Sequence, residues 1–399
     1  MDLQPTDLPS DWVISSIQDA FRFTRKPREL SMSAEHVRFL PMDLIPIGKP
    51  HVAEYELRTT SSRFSGTYVE NGDLLVAKIT PSFENGKQAI VDWGDGFGYA
   101  TTKVIPLQSI PGKSDVRFLA NLLLMPEIRG DLAGKMEGST GRQRLAKSVL
   151  GARLIPLPPL DEQRKIAAVL SLVQRAIEQQ ERLIALTTEL KKALMHKLFT
   201  EGLRGEPQKQ SEIGPIPESW RIMRLDDFCV LQRGFDITKA EQASGLVPVV
   251  SSGGISSYHN VAKVRGPGVA IGRKGTLGTV HYLDDDFWPH DTTLWVKDFK
   301  ENSPLFTSYL LSSMRLERFD TGASNPTLNR NGIHPLPIAV PDTAEQEIIA
   351  NTLSAVDQKN RLLIRKRLVL QELFRTLLYQ LMSAQLRVHD LDLSSLTEI

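Results

Sequence analysis

Part of this chain occurs twice, and that repeat constrains its fold more than any other feature. Ile155 to Val173 recurs as Ile338 to Val356, offset by 183 residues, with nine of 19 positions identical, where chance gives about one. A second landmark also repeats: Leu8-Pro9-Ser10-Asp11-Trp12 returns as Ile216-Pro217-Glu218-Ser219-Trp220. The chain is therefore two copies of one unit, each running from a tryptophan through a mixed segment into a long helix. The first copy spans 150 residues from Trp12 to Glu162, the second 125 from Trp220 to Glu345. Two related units imply two related jobs on two related targets.

The repeated segments open heptad helices. Ile349, Leu353, Val356, Asn360, Leu363, Arg367, Leu370, Phe374, Leu377 and Leu381 are spaced four and three in turn, which is a coiled-coil seam. The same frame in the first copy takes Ile166, Leu170, Val173, Ile177, Gln180, Ile184, Thr187, Lys191, Leu194 and Leu198. The polar members fall at different heights and can fix register and partner. The spacing predicts an intramolecular pair, antiparallel or parallel; the duplicated order of segment and helix then favours 159–200 antiparallel to 341–384, with the two copies in pseudo-twofold relation. Asp342 and Glu345 fit a capping box. Asp161 and Glu162 suit a first turn, and Gly202 suits a helix stop.

Upstream of each helix the pattern changes to short strands. Gly72 to Thr80 and Gly266 to Lys274 read as turn plus strand, with short helices at 117–124 and 305–314. The fold class is α+β, with strand order left open. Glu201 to Pro217, rich in Gly, Pro and charge, reads as a linker.

Composition narrows the functions. A single cysteine, Cys229, excludes a disulfide framework and a cysteine zinc site, and suits a reducing cytoplasm. The start of the chain has no signal-peptide pattern, and no apolar run reaches membrane-spanning length. A net charge of +1 provides no global field for nucleic acid. A nucleic-acid binder of this composition must gather its basic groups locally or share the duplex with other subunits.

Motifs for catalysis are weak. The glycine run 266–278 lacks the G-x-x-x-x-G-K-[ST] pattern and misses G-x-G-x-x-G by one residue. Asn325-Pro326 continues with Thr327, so no Asn-Pro-Pro-Tyr methyltransferase motif is present. Pro289-His290-Asp291 with Asp298-Phe299-Lys300 mimics a nuclease signature of carboxylates and lysine. The first copy has no equivalent, and the same Asp-x-Lys spacing recurs on the heptad helix at Asp357-Gln358-Lys359. His281, His290 and Asp284-Asp285-Asp286 read better as a solvated acidic turn than as a metal site. No metal and no cofactor is expected.

Two variable segments, each entering a related long helix, the first through Pro-Leu-Pro-Pro-Leu-Asp-Glu-Gln-Arg-Lys-Ile-Ala, resemble the specificity subunit of a type I restriction-modification system. The stretches Phe199 to Glu206 and Ile213 to Trp220 carry the same resemblance. So do Gly138 to Leu145 and its partner Gly322 to Asn329. The second helix entry departs mildly, reading Val340-Pro341-Asp342-Thr343 without the double proline.

The resemblance implies two target-recognition domains (1–154 and 217–337), joined through conserved helices at 155–200 and 338–385. A linker at 201–216 and a tail at 386–399 complete the division. It implies that each domain reads one half of a bipartite, asymmetric site in double-stranded DNA. The helices would set the spacing and dock two methyltransferase subunits, with restriction subunits attached through those. The chain itself would be non-catalytic and cytoplasmic. The competing reading is a coiled-coil scaffold for two protein-binding modules.

Base edges are read by Arg, Asn and Gln, and phosphates are held by Lys, Ser and Thr. The candidate DNA-binding residues are therefore Lys78, Thr80, Ser82, Lys87, Arg142, Gln143 and Arg144 in the first copy. Those in the second are Arg273, Lys274, Thr276, Asn325, Asn329 and Arg330.

Overall fold

The computed structural model describes residues 8–29, 35–60, 65–139, 141–320 and 326–390. The chain divides into two compact units: Met1–Glu181 with Arg365–Ile399, and Arg182–Ile364. The division falls inside the two long helices, so each unit owns half of each.

Unit 1 opens with β1 (Val13–Ser16), α1 (Ile17–Ala20) and β2 (Phe21–Phe23). Strands β3 (His36–Leu40), β4 (His51–Val52), β5 (Glu56–Thr59) and β6 (Thr67–Glu70) follow. Next come β7 (Leu74–Ala77), β8 (Gln88–Val91), β9 (Phe97–Ala100) and β10 (Val104–Ser109). Then come α2 (Val116–Leu122), α3 (Pro126–Gly134), β11 (Glu137–Ser139), β12 (Arg142–Arg144), α4 (Lys147–Ala152) and β13 (Leu154–Leu157). One sheet has the order β2-β10-β7-β8-β4, another β5-β3-β9-β6. The apolar run Leu74-Leu75-Val76-Ala77 sits inside the first sheet and is wholly buried, because both faces of β7 are covered. Strand β1 pairs with β13 and returns the chain to the point where helix α5 (Leu160–Thr200) begins.

Unit 2 repeats this plan. After α5, the stretch expected to be a linker holds a hairpin of β14 (Gln208–Ser211) and β15 (Gly214–Pro217). Its polar composition conceals the ladder because β14 has no buried residue and only Ile216 and Pro217 of β15 turn inward. Then come β16 (Arg221–Arg224), α6 (Leu225–Phe228), β17 (Val230–Arg233), β18 (Val247–Ser251) and β19 (Gly254–His259). Next are β20 (Gly268–Gly272), β21 (Val280–Leu283), β22 (Trp288–Pro289) and β23 (Thr293–Asp298). The unit closes with α7 (Pro304–Ser313), α8 (Arg330–Ile333), β24 (Pro337–Val340) and α9 (Thr343–Met382). Here β17-β23-β20-β21 form one sheet and β19-β18-β22 another. The glycine run belongs to buried β20: a Cβ on Gly268 would meet the Phe287 ring and one on Gly272 would meet the Thr276 carbonyl. These glycines serve close backbone approach.

Within each unit the helices run antiparallel. In unit 1, Ile166 and Leu170 near the start of α5 share a core with Leu378, Leu381 and Met382 near the end of α9. In unit 2, Leu198 near the end of α5 shares a core with Ile349 and Leu353 at the start of α9. The polar pairs keep the same register, with Lys191 on Asp357 at 2.6 Å and Asn360 on Thr188 at 3.3 Å. Every seam position is buried or partly buried, Val173, Ile177 and Ile184 included. Val356, Leu363, Leu370, Phe374 and Leu377 behave likewise on α9, and Leu194 on α5. Off-seam Leu186, at 62% exposure, and Val369, at 63%, are open.

The expected capping box is half formed. The Glu345 amide donates to Asp342 Oδ1 at 2.9 Å, but the Glu345 carboxylate turns away and accepts from the Leu203 amide. There the Arg204 guanidinium, 3.6 Å away, adds its charge to the Leu203 amide.

Candidate nucleic-acid interface

In unit 1 the sequence candidates converge. Lys78 leaves the end of β7 with its amide donating to the Lys103 carbonyl, while its own carbonyl accepts from Leu145. Ile79 bridges Arg144, the Thr80 amide donates to the Gln143 carbonyl, and the Gln143 amide donates back to Thr80 Oγ1 at 3.0 Å. The loop after β7 is thereby stitched to the β11–β12 hairpin, which places Lys78, Thr80 and Arg142 to Arg144 in one patch. Ser82 and Lys87 close the same loop through an amide–carbonyl bond at 2.9 Å.

The patch is electropositive. Burial, with the charges of Arg144 and Lys147 beside it, holds Lys78 below the ordinary lysine range. Burial and then Arg25 do the same to Lys147, whose ammonium lies 4.4 Å from the Phe23 ring centroid. Arg25 and Lys147 escaped the sequence reading. Both adjoin an open groove of about 1180 Å³ that Arg22, Thr24 and Gln108 also line.

Unit 2 builds the same joint. Arg273 follows β20, its amide donating to the Thr292 carbonyl and its carbonyl accepting from Leu328. Lys274 bridges Thr327. Thr276 is exposed on the next turn, Asn329 caps α8 through its side chain, and Arg330 opens that helix. Arg273 Nη1 donates to the Asp291 carbonyl at 3.2 Å. Asn325 lies outside the described residues.

The acidic residues weighed for catalysis are engaged in local ion pairs and hydrogen bonds. Asp291 pairs with Arg233 at 3.1 Å and Asp298 with Lys300 at 3.2 Å. Asp286 accepts from the Gly266 amide, and His281 meets the Ser252 carbonyl. Among the described residues no three His, Cys, Asp or Glu side chains gather as a metal site. No described helix is long and apolar enough to cross a membrane.

A second duplicated arrangement marks the base of each unit. In unit 1, Trp12 Nε1–H donates to Glu162 at 3.0 Å, and Arg387 donates to both Glu162 oxygens, at 2.7 and 2.8 Å, and to Asp11 at 2.7 Å. In unit 2, Arg204 pairs with Asp342 at 2.6 Å and approaches Glu345 at 3.6 Å, with Trp220 buried nearby. Leu203-Arg204 and Leu386-Arg387 keep the 183-residue offset. That signal was present in the sequence, beyond the aligned window.

The sequence profile of the type I restriction modification DNA specificity domain matches residues 9–188 and again 217–372. The chain belongs to this family. It is similar to the putative type I restriction enzyme MjaX specificity subunit of Methanocaldococcus jannaschii, at 21% identity over 96% of this chain and 95% of that one. It is also similar to the type I restriction enzyme EcoAI specificity subunit of Escherichia coli, at 26% identity over 54% of this chain. That match spans only 36% of the EcoAI subunit, about a third of its length. Among solved structures, the S subunit of a type I restriction-modification system from M. genitalium shares the fold. It has TM-score 0.64 and 16% identity, with 96% of this chain and 98% of that one covered. A chain from a study of complex assembly and conformational transition in a type I system also shares it. Its TM-score is 0.57 at 17% identity, with 94% and 98% covered.

Proposed function

We propose that this chain is the non-catalytic, sequence-reading subunit of a type I restriction-modification complex. Each unit reads one half of a bipartite, asymmetric site in duplex DNA. The observation that carries the reading is the joint described above, built twice at equivalent backbone positions and each time presenting cations on a stitched loop. Bound double-stranded DNA, two docked methyltransferase subunits and restriction subunits held through them complete the assembly, which works in the cytoplasm. The recognition segments are 1–154 and 217–337, and the helices at 155–200 and 338–385 set the spacing. Candidate base and phosphate contacts are Lys78, Thr80, Ser82, Lys87 and Arg142 to Arg144 in the first unit, and Arg273, Lys274, Thr276, Asn325, Asn329 and Arg330 in the second.

The test is methylome sequencing and duplex binding with the chain in complex with its methyltransferase. Charge reversal at Arg142 or Arg273 should weaken DNA binding and methylation and leave subunit assembly intact. Unchanged methylation in both variants would remove these residues from the interface.

A further inference from the structure

The two units read different targets, yet each carries three cations at the same backbone positions. Strand register establishes the correspondence. Phe23 pairs with Leu107 and Leu231 with Val296 in equivalent ladders, so Arg25 and Arg233, each two residues on, correspond. Lys78 and Arg273 both follow the buried central strand and both accept, at the carbonyl, from a leucine amide, Leu145 or Leu328. Lys147 and Arg330 open α4 and α8, each two residues beyond that leucine. In both units the outer two are exposed and the middle one is partly buried.

The residues between these cations differ. Ile79-Thr80-Pro81 stands against Lys274-Gly275-Thr276, and Arg142-Gln143-Arg144 against Asn325-Pro326-Thr327. Two halves of an asymmetric site present different bases but the same phosphates. A contact kept by both units must go to what the half-sites share, and a contact that differs is free to select.

We propose that Arg25, Lys78 and Lys147, with Arg233, Arg273 and Arg330, grip the phosphate backbone and read no bases. This rests on the DNA-reading function proposed above. Selection then falls on the residues that differ: Thr80 and Arg142 to Arg144 in the first unit, Lys274, Thr276 and Asn329 in the second. The grip is stronger in unit 1. There, among the described residues, Arg25 and Lys147 have no ion-pair partner, whereas Arg233 is paired with Asp236 and Asp291.

The test uses the full chain with its methyltransferase, on duplexes with and without the site found by methylome sequencing. Lys147→Gln and Arg330→Gln should each weaken both duplexes by the same factor. Each should lower the slope of log affinity against log salt by about 0.9, so that over about a fourfold rise in salt affinity falls about 3.5-fold less. The methylated sequence should stay the same. Lys147→Arg, the residue unit 2 carries, should behave as wild type. Loss confined to the duplex with the site, or a changed methylated sequence, would make these residues base readers and overturn the proposal. Unchanged affinity and slope would remove them from the interface. A wild-type complex that binds neither duplex would instead overturn the DNA-reading function itself.

Discussion

Arg387→Ala tests the reasoning most sharply, because one side chain there satisfies two carboxylates. Arg387 lies just beyond α9 and is 20% exposed, and the Glu162 side chain it neutralises is 9% exposed. Removing the guanidinium leaves Glu162 buried with the Trp12 indole as its remaining donor. Breaking a fully buried pair costs about 3–5 kcal/mol. Water reaches the edge of Arg387 and the Asp11 contact is open to solvent, so about 2–3 kcal/mol is expected here. For a unit of this size that lowers the melting temperature by roughly 5–10 °C. Scanning calorimetry of the full chain measures it, and hydrogen exchange across residues 8–20 and 158–170 localises it. Arg204→Ala should shift melting less, since Arg204 and Asp342 are each 48% exposed. A melting temperature for Arg387→Ala within about 1 °C of wild type, with unchanged exchange, would refute the account.

Burial pushes Asp73 up to about 6. Between its ordinary value and about 6 the folded state holds the extra proton, so the stability of unit 1 should fall by about 2–3 kcal/mol as pH rises through that window and level off above it. Asp73→Asn should flatten this part of the pH–stability profile; an unchanged slope would exonerate Asp73. Leu170→Ala, at a fully buried seam position, should cost about 2–5 kcal/mol. Leu186→Asp should leave folding intact and weaken methyltransferase capture in a pull-down, and full capture would move the docking face elsewhere. Seven residues inserted into α5 after Thr187 need seven more opposite them, and the Thr188–Asn360 contact places those near Arg361 rather than at the sequence-equivalent Leu370. That pair adds about 10 Å, close to three base pairs, and should lengthen the gap between half-sites while their sequences persist. Methylome sequencing showing altered half-sites and an unaltered gap would contradict it.

Much of this was legible in the residues because periodicity is local. The seam from Ile166 to Leu198 and its twin from Ile349 to Leu381 declared both helices, and β7 and β20 stood out as apolar runs bounded by glycine. Strand order was not legible, since β2 and β10 are joined by pairings across some 85 residues, such as Phe23 with Leu107, that no short-range pattern encodes. The same is true of the Thr80–Gln143 stitch, although both residues were singled out for their chemistry. Arg25 and Lys147 were missed because a lone exposed cation looks like any solvated residue until the fold brings several together. Glu345 was assigned to a cap because its distant claimants, Leu203 and Arg204, sit beyond a helix more than 140 residues earlier in the chain.

The arginine after each helix binds at the start of the other. Glu162 and Arg204 are 42 residues apart, as are Glu345 and Arg387. A single-residue deletion in either helix would swing its terminal arginine by about 100° and draw it back by about 1.5 Å. Glu345 or Glu162 would then lose its counterion. The two helices are thus coupled as a closed circuit, in which a change of length in one is tolerated only with a compensating change in the other. Under the proposed DNA-reading function the loop sequences carry no such constraint, so new target preferences would arise one unit at a time while the two helix lengths change in concert.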